Sequence, residues 1–502
     1  MSYLRIVSLE DEDIDYSFNN VAKSVFLQTN ANWQWTIEEK LLKRLTRSNL
    51  KRKIRADKRI TVRNLSINAV ELDLSKNWGI VFLRPGFSIA RNFIQVIEEQ
   101  QLKESFDFLY TDVQLINREN GNDGIWRRPQ NCTERLLHHN YVSGALVVQK
   151  SVIENVIAHG DIPLDEIEAK AICEVIAEEG TFQHIADPIV QVRREIVAEQ
   201  MNAGSQHWLE ETSKVAVKKQ HGFVSAQGPT GNWVMRRLPK EKVSISIVIP
   251  TRGDKKIIWG IETDLIENVV RSLFQRTDNE EFEVIVVHDV NKAFDEHIDS
   301  LAHYGDRVKL VPYEKPFNFS DKCNVGAVHS SAQVVVFLND DIEVIDPWWL
   351  DHLVGYLESG DVGAVGPVLL LDNGMIQTAG HVNQPLPANY YAGRPLGVRD
   401  FPEPLDIPCE VSGLTAACLA LRREVFDEVG GFCEALPNNF NDVDLCLKIQ
   451  QSGRSLIWTP LARLYHFESV TRVGAVTQGE IQFIQDRWGR TFEPDRCRSR
   501  IE

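Results

Sequence analysis

The apolar run VVVFL at 334–338 is followed directly by Asn339, Asp340 and Asp341. A short apolar run bounded by polar residues reads as a buried strand. The two carboxylates then stand at its carboxyl end, where sheets of α/β proteins open their ligand crevice. Adjacent carboxylates repel, and both stay ionised only with a cation or hydrogen-bond donors close by. Hard oxygen donors of this kind suit Mg2+ or Mn2+. Downstream lies NDVDLCLKIQQSG at 441–453, in which Leu445 and Ile449 share one helix face, so Asp442 falls near the helix start. There the helix dipole keeps a carboxylate ionised, and such a group takes a proton from a hydroxyl as a general base. An N-capping aspartate carries the same signature. His466, in YHFES after a short strand-like run, either completes a metal site or caps a loop.

Strands and helices must position these groups. The second half opens with SISIVIP at 244–250, a buried strand ended by proline, and a helix-like stretch runs on to Phe274. Further strands are expected at Phe282–Asp289, Arg307–Val311 and Val334–Leu338. This alternation implies right-handed βαβ units and a mainly parallel sheet.

The first half follows the same order. SVFLQTNANWQWTI at 24–37 matches SLFQRTDNEEFEVIV at 272–286, and KRITVRNL at 58–65 matches DRVKLVPY at 306–313. WGIVFLRPGF at 78–87 parallels QVVVFLNDDI at 333–342, QKSVIENV at 149–156 parallels RREVFDEV at 422–429, and GTFQHIADPIVQVRR at 180–194 tracks GRSLIWTPLARLYHF at 453–467. Five matches in one order point to a tandem duplication. The expected division is a degenerate domain at 1–194, a helical then Gly-rich connection at 195–241, a working domain at 242–490, and a tail at 491–502.

The segments IVIPTRG at 247–253, PFNFSDKCNVGA at 316–327, VFLNDDIEV at 336–344, NDVDLCLKIQQSG and LYHFESVTR at 464–472 together resemble the family 2 glycosyltransferases, in the rhamnosyltransferase-like branch of bacterial O-antigen and capsule synthesis. The resemblance covers nearly all of 244–472 and implies two tandem GT-A (Rossmann-like) α/β domains, the first degenerate. It implies an inverting, metal-dependent transfer from a nucleotide-diphosphate sugar to a glycan or lipid-linked glycan. Asp341 and His466 become the ligands of Mg2+ or Mn2+, Asp340 a ribose contact and Asp442 the base. Thr251, Arg252 and Asp289 fall where ribose and base are held, while Lys322, a candidate phosphate contact, and Asn324 lie ahead of the metal strand. The family often carries Glu-Asp where this chain has Asn441-Asp442. The stretch Ser412-Gly413-Leu414 is expected to shape the acceptor side, and Trp458 reads equally as core or as sugar platform. UDP, dTDP and GDP donors are not distinguished by these motifs.

In the first half Arg84, Pro85 and Gly86 occupy the places of Asn339, Asp340 and Asp341. Asp442 aligns near Ala169, His466 near Arg194 and Asp289 near Lys40, with Asp165, Glu166 or Glu168 within a residue or two of a carboxylate position. Glu10-Asp11-Glu12 stand where the second half has Pro-Thr. A polymerase with two active centres is therefore disfavoured, as is a non-catalytic glycan-binding scaffold given the intact second set.

Composition sets the remaining bounds. The chain has 502 residues, too many for one ordinary core, with 43% hydrophobic and 25% charged residues. A formal net charge of −16 argues against nucleic-acid binding. Eight scattered cysteines with no CxxC pair suit reduced thiols in a cytoplasmic setting. Neither a signal peptide nor a membrane-spanning run is visible. One segment opposes the acidic balance: residues 40–63 hold eleven Lys or Arg against one Asp. It reads either as a solvated helix face or as a patch for the anionic inner face of a membrane.

Overall fold

The computed structural model describes residues 3–8, 18–63, 74–117, 121, 123–160, 162–163, 166–200, 206–218, 223–227, 233–383, 387–397, 399–400, 403–467, 476–489 and 495–502. Two compact units are present, Met1–Gln220 with Asp400–Glu403 and Arg498–Glu502, and His221–Arg399 with Pro404–Cys497. The division at 220/221 falls inside the connecting region, which forms helices Arg194–Gln200 and Gln206–Lys218 and then a hairpin, Phe223–Gln227 with Trp233–Arg237. In the segment read as a tail, Arg500–Ile501 pairs with Gly124–Arg127 in the first unit.

The first unit is built on β1 (Tyr3–Ser8), β2 (Trp33–Glu38), β3 (Ile60–Arg63), β4 (Asn77–Leu83), β5 (Ser88–Ile89), β6 (Phe108–Ile116), β7 (Ala145–Gln149) and β8 (Phe182–Arg193). The second uses β9 (Ile245–Thr251), β10 (Phe282–Asp289), β11 (Val308–Tyr313), β12 (Val334–Leu338), β13 (Ile342–Val344), β14 (Val362–Leu370), β15 (Cys418–Arg422) and β16 (Ser455–His466). Each sheet has ten strands, and among these eight the spatial order in the first is 3-2-1-4-7-6-8-5 and in the second 11-10-9-12-15-14-16-13. Adding eight to each label converts one order into the other. Directions agree as well: β7 and β15 run antiparallel to both neighbours, β5 and β13 antiparallel to β8 and β16, and the remaining pairings are parallel. Each of the five sequence matches falls on corresponding elements. The architecture is α/β, with two large, mainly parallel sheets in two domains.

The sequence makes such sheets because the central strands are apolar on both faces. Every residue of β9, β12 and β14 is buried. Along β9, Ile245, Ile247 and Ile249 enter one core while Val248 enters the other, so each face carries its own helical layer. Helices Leu265–Arg276 and Trp349–Leu357 cover the first face; Phe319–Val328 and Asn441–Gln451 cover the second. Gly326 permits the close approach of its helix, since a Cβ there would meet Val248 Cγ1 at 2.2 Å.

One expectation needs correction. The stretch after β9 is not helical from its start: residues 255–258 and 261–264 form a hairpin before the helix begins at Leu265. Its turn places Trp259 at φ 48° and Gly260 at φ 85°, the two left-handed positions of a tight hairpin turn.

Candidate active site

β9 and β12 are parallel and adjacent, so Thr251 and the Asn339–Asp341 segment emerge at the same sheet edge. They border a cavity of about 550 Å³ that Arg252, Asp442 and His466 also line. Thr251 Oγ1 donates to Asp340 Oδ2 at 2.6 Å. Burial, followed by the charge of Asp341, raises the Asp340 carboxyl above the usual range. Burial acts on Asp341 in the same direction, yet His466 beside it holds Asp341 below its ordinary value.

His466 ends β16, beside Ile342 of the antiparallel β13, which fixes its approach to Asp341. Its Nε2 lies 3.0 Å from Asp341 Oδ1, and its Nδ1 lies 2.5 Å from Gln377 Oε1. With Gln377 accepting, Nδ1 carries a ring hydrogen, and Nε2 meets Asp341 either as a donor or, with a cation between them, through its lone pair. Nε2 and Oδ1 thus face each other across 3.0 Å, and the buried Asp341 Oδ1 has no partner besides His466. That arrangement has room for a cation held by both atoms. One carboxylate oxygen and one imidazole nitrogen fit Mn2+ or Mg2+, and Asn339 Nδ2, 3.3 Å from Nε2, completes the rim. Among the described residues no group of three or more His, Cys, Asp or Glu side chains could hold a metal.

Asp442 is the second residue of helix Asn441–Gln451, whose N-cap is Phe440 at φ 58°. It is therefore not the capping residue. Its carboxylate accepts from Val443 N at 2.9 Å and Ala416 N at 3.3 Å while lining the cavity. Leu445 and Ile449 are fully buried on the inward face, as the spacing predicts.

Three predicted site residues lie apart from the cavity lining. The Lys322 ammonium is buried; it sits 2.5 Å from Asp289 Oδ1 and donates to the Thr251 carbonyl at 2.6 Å. Burial lowers its pKa, opposed by Asp289. Lys322 and Asp289 thus brace the strand end that carries Thr251. Asn324 clips the backbone of Phe432, donating to its carbonyl at 3.0 Å and accepting from its N–H at 2.9 Å. Arg252 does reach the cavity, with its guanidinium 3.8 Å above the Phe317 ring. Trp458 is 1% exposed and belongs to the core. Gly413 faces His381, whose Cβ would lie 3.1 Å from an added Cβ. Part of the 464–472 motif and the Glu10–Glu12 stretch lie outside the described residues. Gln377, which sets the His466 tautomer, carried no sequence signal: it lies in a three-residue strand with no motif around it.

The first unit shows what the same plan does without the carboxylate pair. Arg84 N donates to Gly144 O at 2.9 Å, as Asn339 N does to Ala417 O at 3.0 Å. Helix Ile167–Ala177 corresponds to Asn441–Gln451, and its second residue, Glu168 rather than Ala169, stands where Asp442 does. Arg84 Nε is 2.5 Å from Glu168 Oε2, and Ser143 Oγ donates to Glu168 Oε1 at 2.9 Å.

Residues 246–430 match the model described as Glycosyl transferase family 2. The O-antigen biosynthesis protein RfbC of Myxococcus xanthus is 29% identical over 380 residues, covering 72% of this chain and 28% of RfbC. An uncharacterized protein of Sinorhizobium fredii, y4gI, is 34% identical over 277 residues, covering 51% of this chain and 28% of its own. The chain thus spans little more than a quarter of the length of these two curated relatives. A crystal structure of GalNAc-T7 with UDP, GalNAc and Mn2+ aligns with a TM-score of 0.42 at 17% identity, covering 52% of this chain and 51% of that one. The stretch 246–430, which carries Thr251, Arg252 and the Asn339–Asp341 segment at the cavity, is thus similar to glycosyl transferase family 2, and the chain is similar to an O-antigen biosynthesis protein.

Proposed function

We propose that the second unit moves a sugar, with inversion, from a nucleotide-diphosphate sugar to a hydroxyl of a growing bacterial surface glycan of O-antigen or capsule type. The observation that carries this reading is the convergence of Asp340, Asp341, Asp442 and His466 on one cavity at the strand ends. Asp341 and His466 would hold Mg2+ or Mn2+, which supplies charge stabilisation for the departing diphosphate. Thr251 and Asp340 orient the donor ribose, and Arg252 stands by for the donor phosphates or base. Asp442 takes the proton of the acceptor hydroxyl as that oxygen attacks the anomeric carbon and the nucleotide diphosphate leaves. No covalent nucleophile is required. The donor is a UDP-, dTDP- or GDP-linked sugar, rhamnosyl donors included, and the acceptor a glycan or lipid-linked glycan.

The shared strand plan supports a tandem duplication whose first copy, with Arg84 against Glu168, works on no donor. A second catalytic centre there is disfavoured by that ion pair. No described helix is long and apolar enough to cross a membrane, and work at the cytoplasmic face of one belongs to the same proposal.

The deciding measurement is Mn2+-dependent release of nucleotide from a panel of UDP-, dTDP- and GDP-sugars. Release from one class, abolished in Asp341→Asn, supports the reading; no turnover with any donor, together with unchanged nucleotide binding in Asp341→Asn, overturns it.

A further inference from the structure

The basic segment of the first unit is folded so that its apolar residues are spent while a set of its cations stands at the surface. Leu41, Leu42, Leu45, Leu50 and Ile54 are all buried. Within helix Ser48–Ala56, Leu50 and Ile54 form the inward stripe, one turn apart, while Arg52, Lys53 and Arg55 are exposed and Lys51 is half-buried. Lys43, Arg47 and Lys58 extend the exposed set on either side. The one aspartate of the segment, Asp57, is taken by Arg59 at 2.7 Å. The seven cations just named have no ion-pair partner among the described residues, on a chain whose net charge is −16.

We infer that this helix face is an electrostatic dock for an anionic membrane surface, and that it binds headgroups without inserting. Its apolar stripe faces the core, so the usual amphipathic route into the acyl region is closed. What remains is a cluster of point charges, each of which adds roughly fivefold to binding near an anionic surface. Charge complementarity favours a planar surface over a nucleic acid. A bilayer need engage the patch alone, and at about 8 Å from it salt screens the acidic remainder of the chain. A long polyanion follows an extended basic footprint, and this chain has a single basic segment. This inference rests on the free cations and is independent of the catalytic reading.

Co-sedimentation of the full chain with phosphatidylcholine vesicles, with and without phosphatidylglycerol, tests it. Binding is expected with phosphatidylglycerol alone and should vanish in high salt. Replacing Lys51, Arg52, Lys53 and Arg55 with Gln should weaken it on the order of five-hundredfold with an unchanged thermal midpoint. The charge-keeping pair Arg52→Lys and Arg55→Lys should bind like the parent. Equal binding to neutral vesicles, no effect of the four Gln substitutions, or tighter binding to a short duplex RNA than to the anionic vesicles at the same salt overturns the inference. Nucleotide release, measured on the same variants, should be unaffected, which separates this outcome from that of the catalytic proposal.

Discussion

Arg84 and Glu168 in the first unit occupy the places that Asn339 and Asp442 hold in the second, and they meet directly at 2.5 Å. Glu168 is 3% exposed, while the Arg84 side chain is 34% exposed. Where one sheet end leaves acidic groups around an open cavity, the other closes with its own cation.

Breaking that pair should be costly. Arg84→Ala leaves a buried carboxylate with only Ser143 as donor, and a loss of about 2–3 kcal/mol is expected, below the full buried-pair value because Arg84 is partly solvated. Arg84→Met with Glu168→Leu should recover most of it. Urea unfolding of the single and double variants measures the coupling, and nucleotide release should stay at the parental rate throughout.

Binding and chemistry should separate at the second site. Asp341→Asn is expected to abolish the Mn2+-dependent rise in melting temperature produced by the cognate nucleotide. Asp442→Asn should retain that rise while turnover falls by roughly 10²–10⁴. If both variants lose nucleotide binding equally, Asp442 is part of the donor site rather than the base.

Lys322 offers a test of bracing against phosphate contact. Lys322→Met strands the Asp289 carboxylate and the Thr251 carbonyl, so a stability loss of about 1–3 kcal/mol is expected. Calorimetric nucleotide affinity should keep the parental salt dependence, since no charge in the cavity has been removed. A flattened salt dependence would restore the phosphate role.

A pH dependence follows from His352. Burial, reinforced by Arg236, pushes its pKa down to about 4 from an ordinary 6.5. Its Nδ1 donates to the Leu461 carbonyl at 2.9 Å, and Nε2 accepts from Arg236. The unfolded chain binds this proton below about pH 6.5 and the folded chain does not until about pH 4. Stability should therefore fall as pH drops through that window, by about 3 kcal/mol in all. Denaturant titrations at stepped pH check this, and His352→Gln should flatten the curve.

Much of this was legible in the sequence because it rests on local pattern. Apolar runs gave β9, β10 and β12, the paired aspartates marked a strand end, and the Leu445/Ile449 spacing placed Asp442 on its helix. The misses have physical causes. Trp259 in a left-handed turn position hides a hairpin, because that site ordinarily takes Asn or Gly. Lys322 looked like a cavity residue because its burial against Asp289 depends on a helix packing 71 residues from Thr251. Gln377 and the Glu168 register depend on tertiary contacts that leave no periodic mark.

The repeated strand plan also bears on how the chain folds. Two copies of one sheet in one polypeptide invite strand exchange, a characteristic failure of multidomain chains. β4 and β12 both end in Val-Phe-Leu and expect the same neighbours. A β12 misplaced in the first sheet would bring Asp340 and Asp341 up to Glu168 with no cation present, and a β4 in the second would set Arg84 where the carboxylate pair belongs. The charges that distinguish the two sites thus set a cost on placing either strand in the other's sheet.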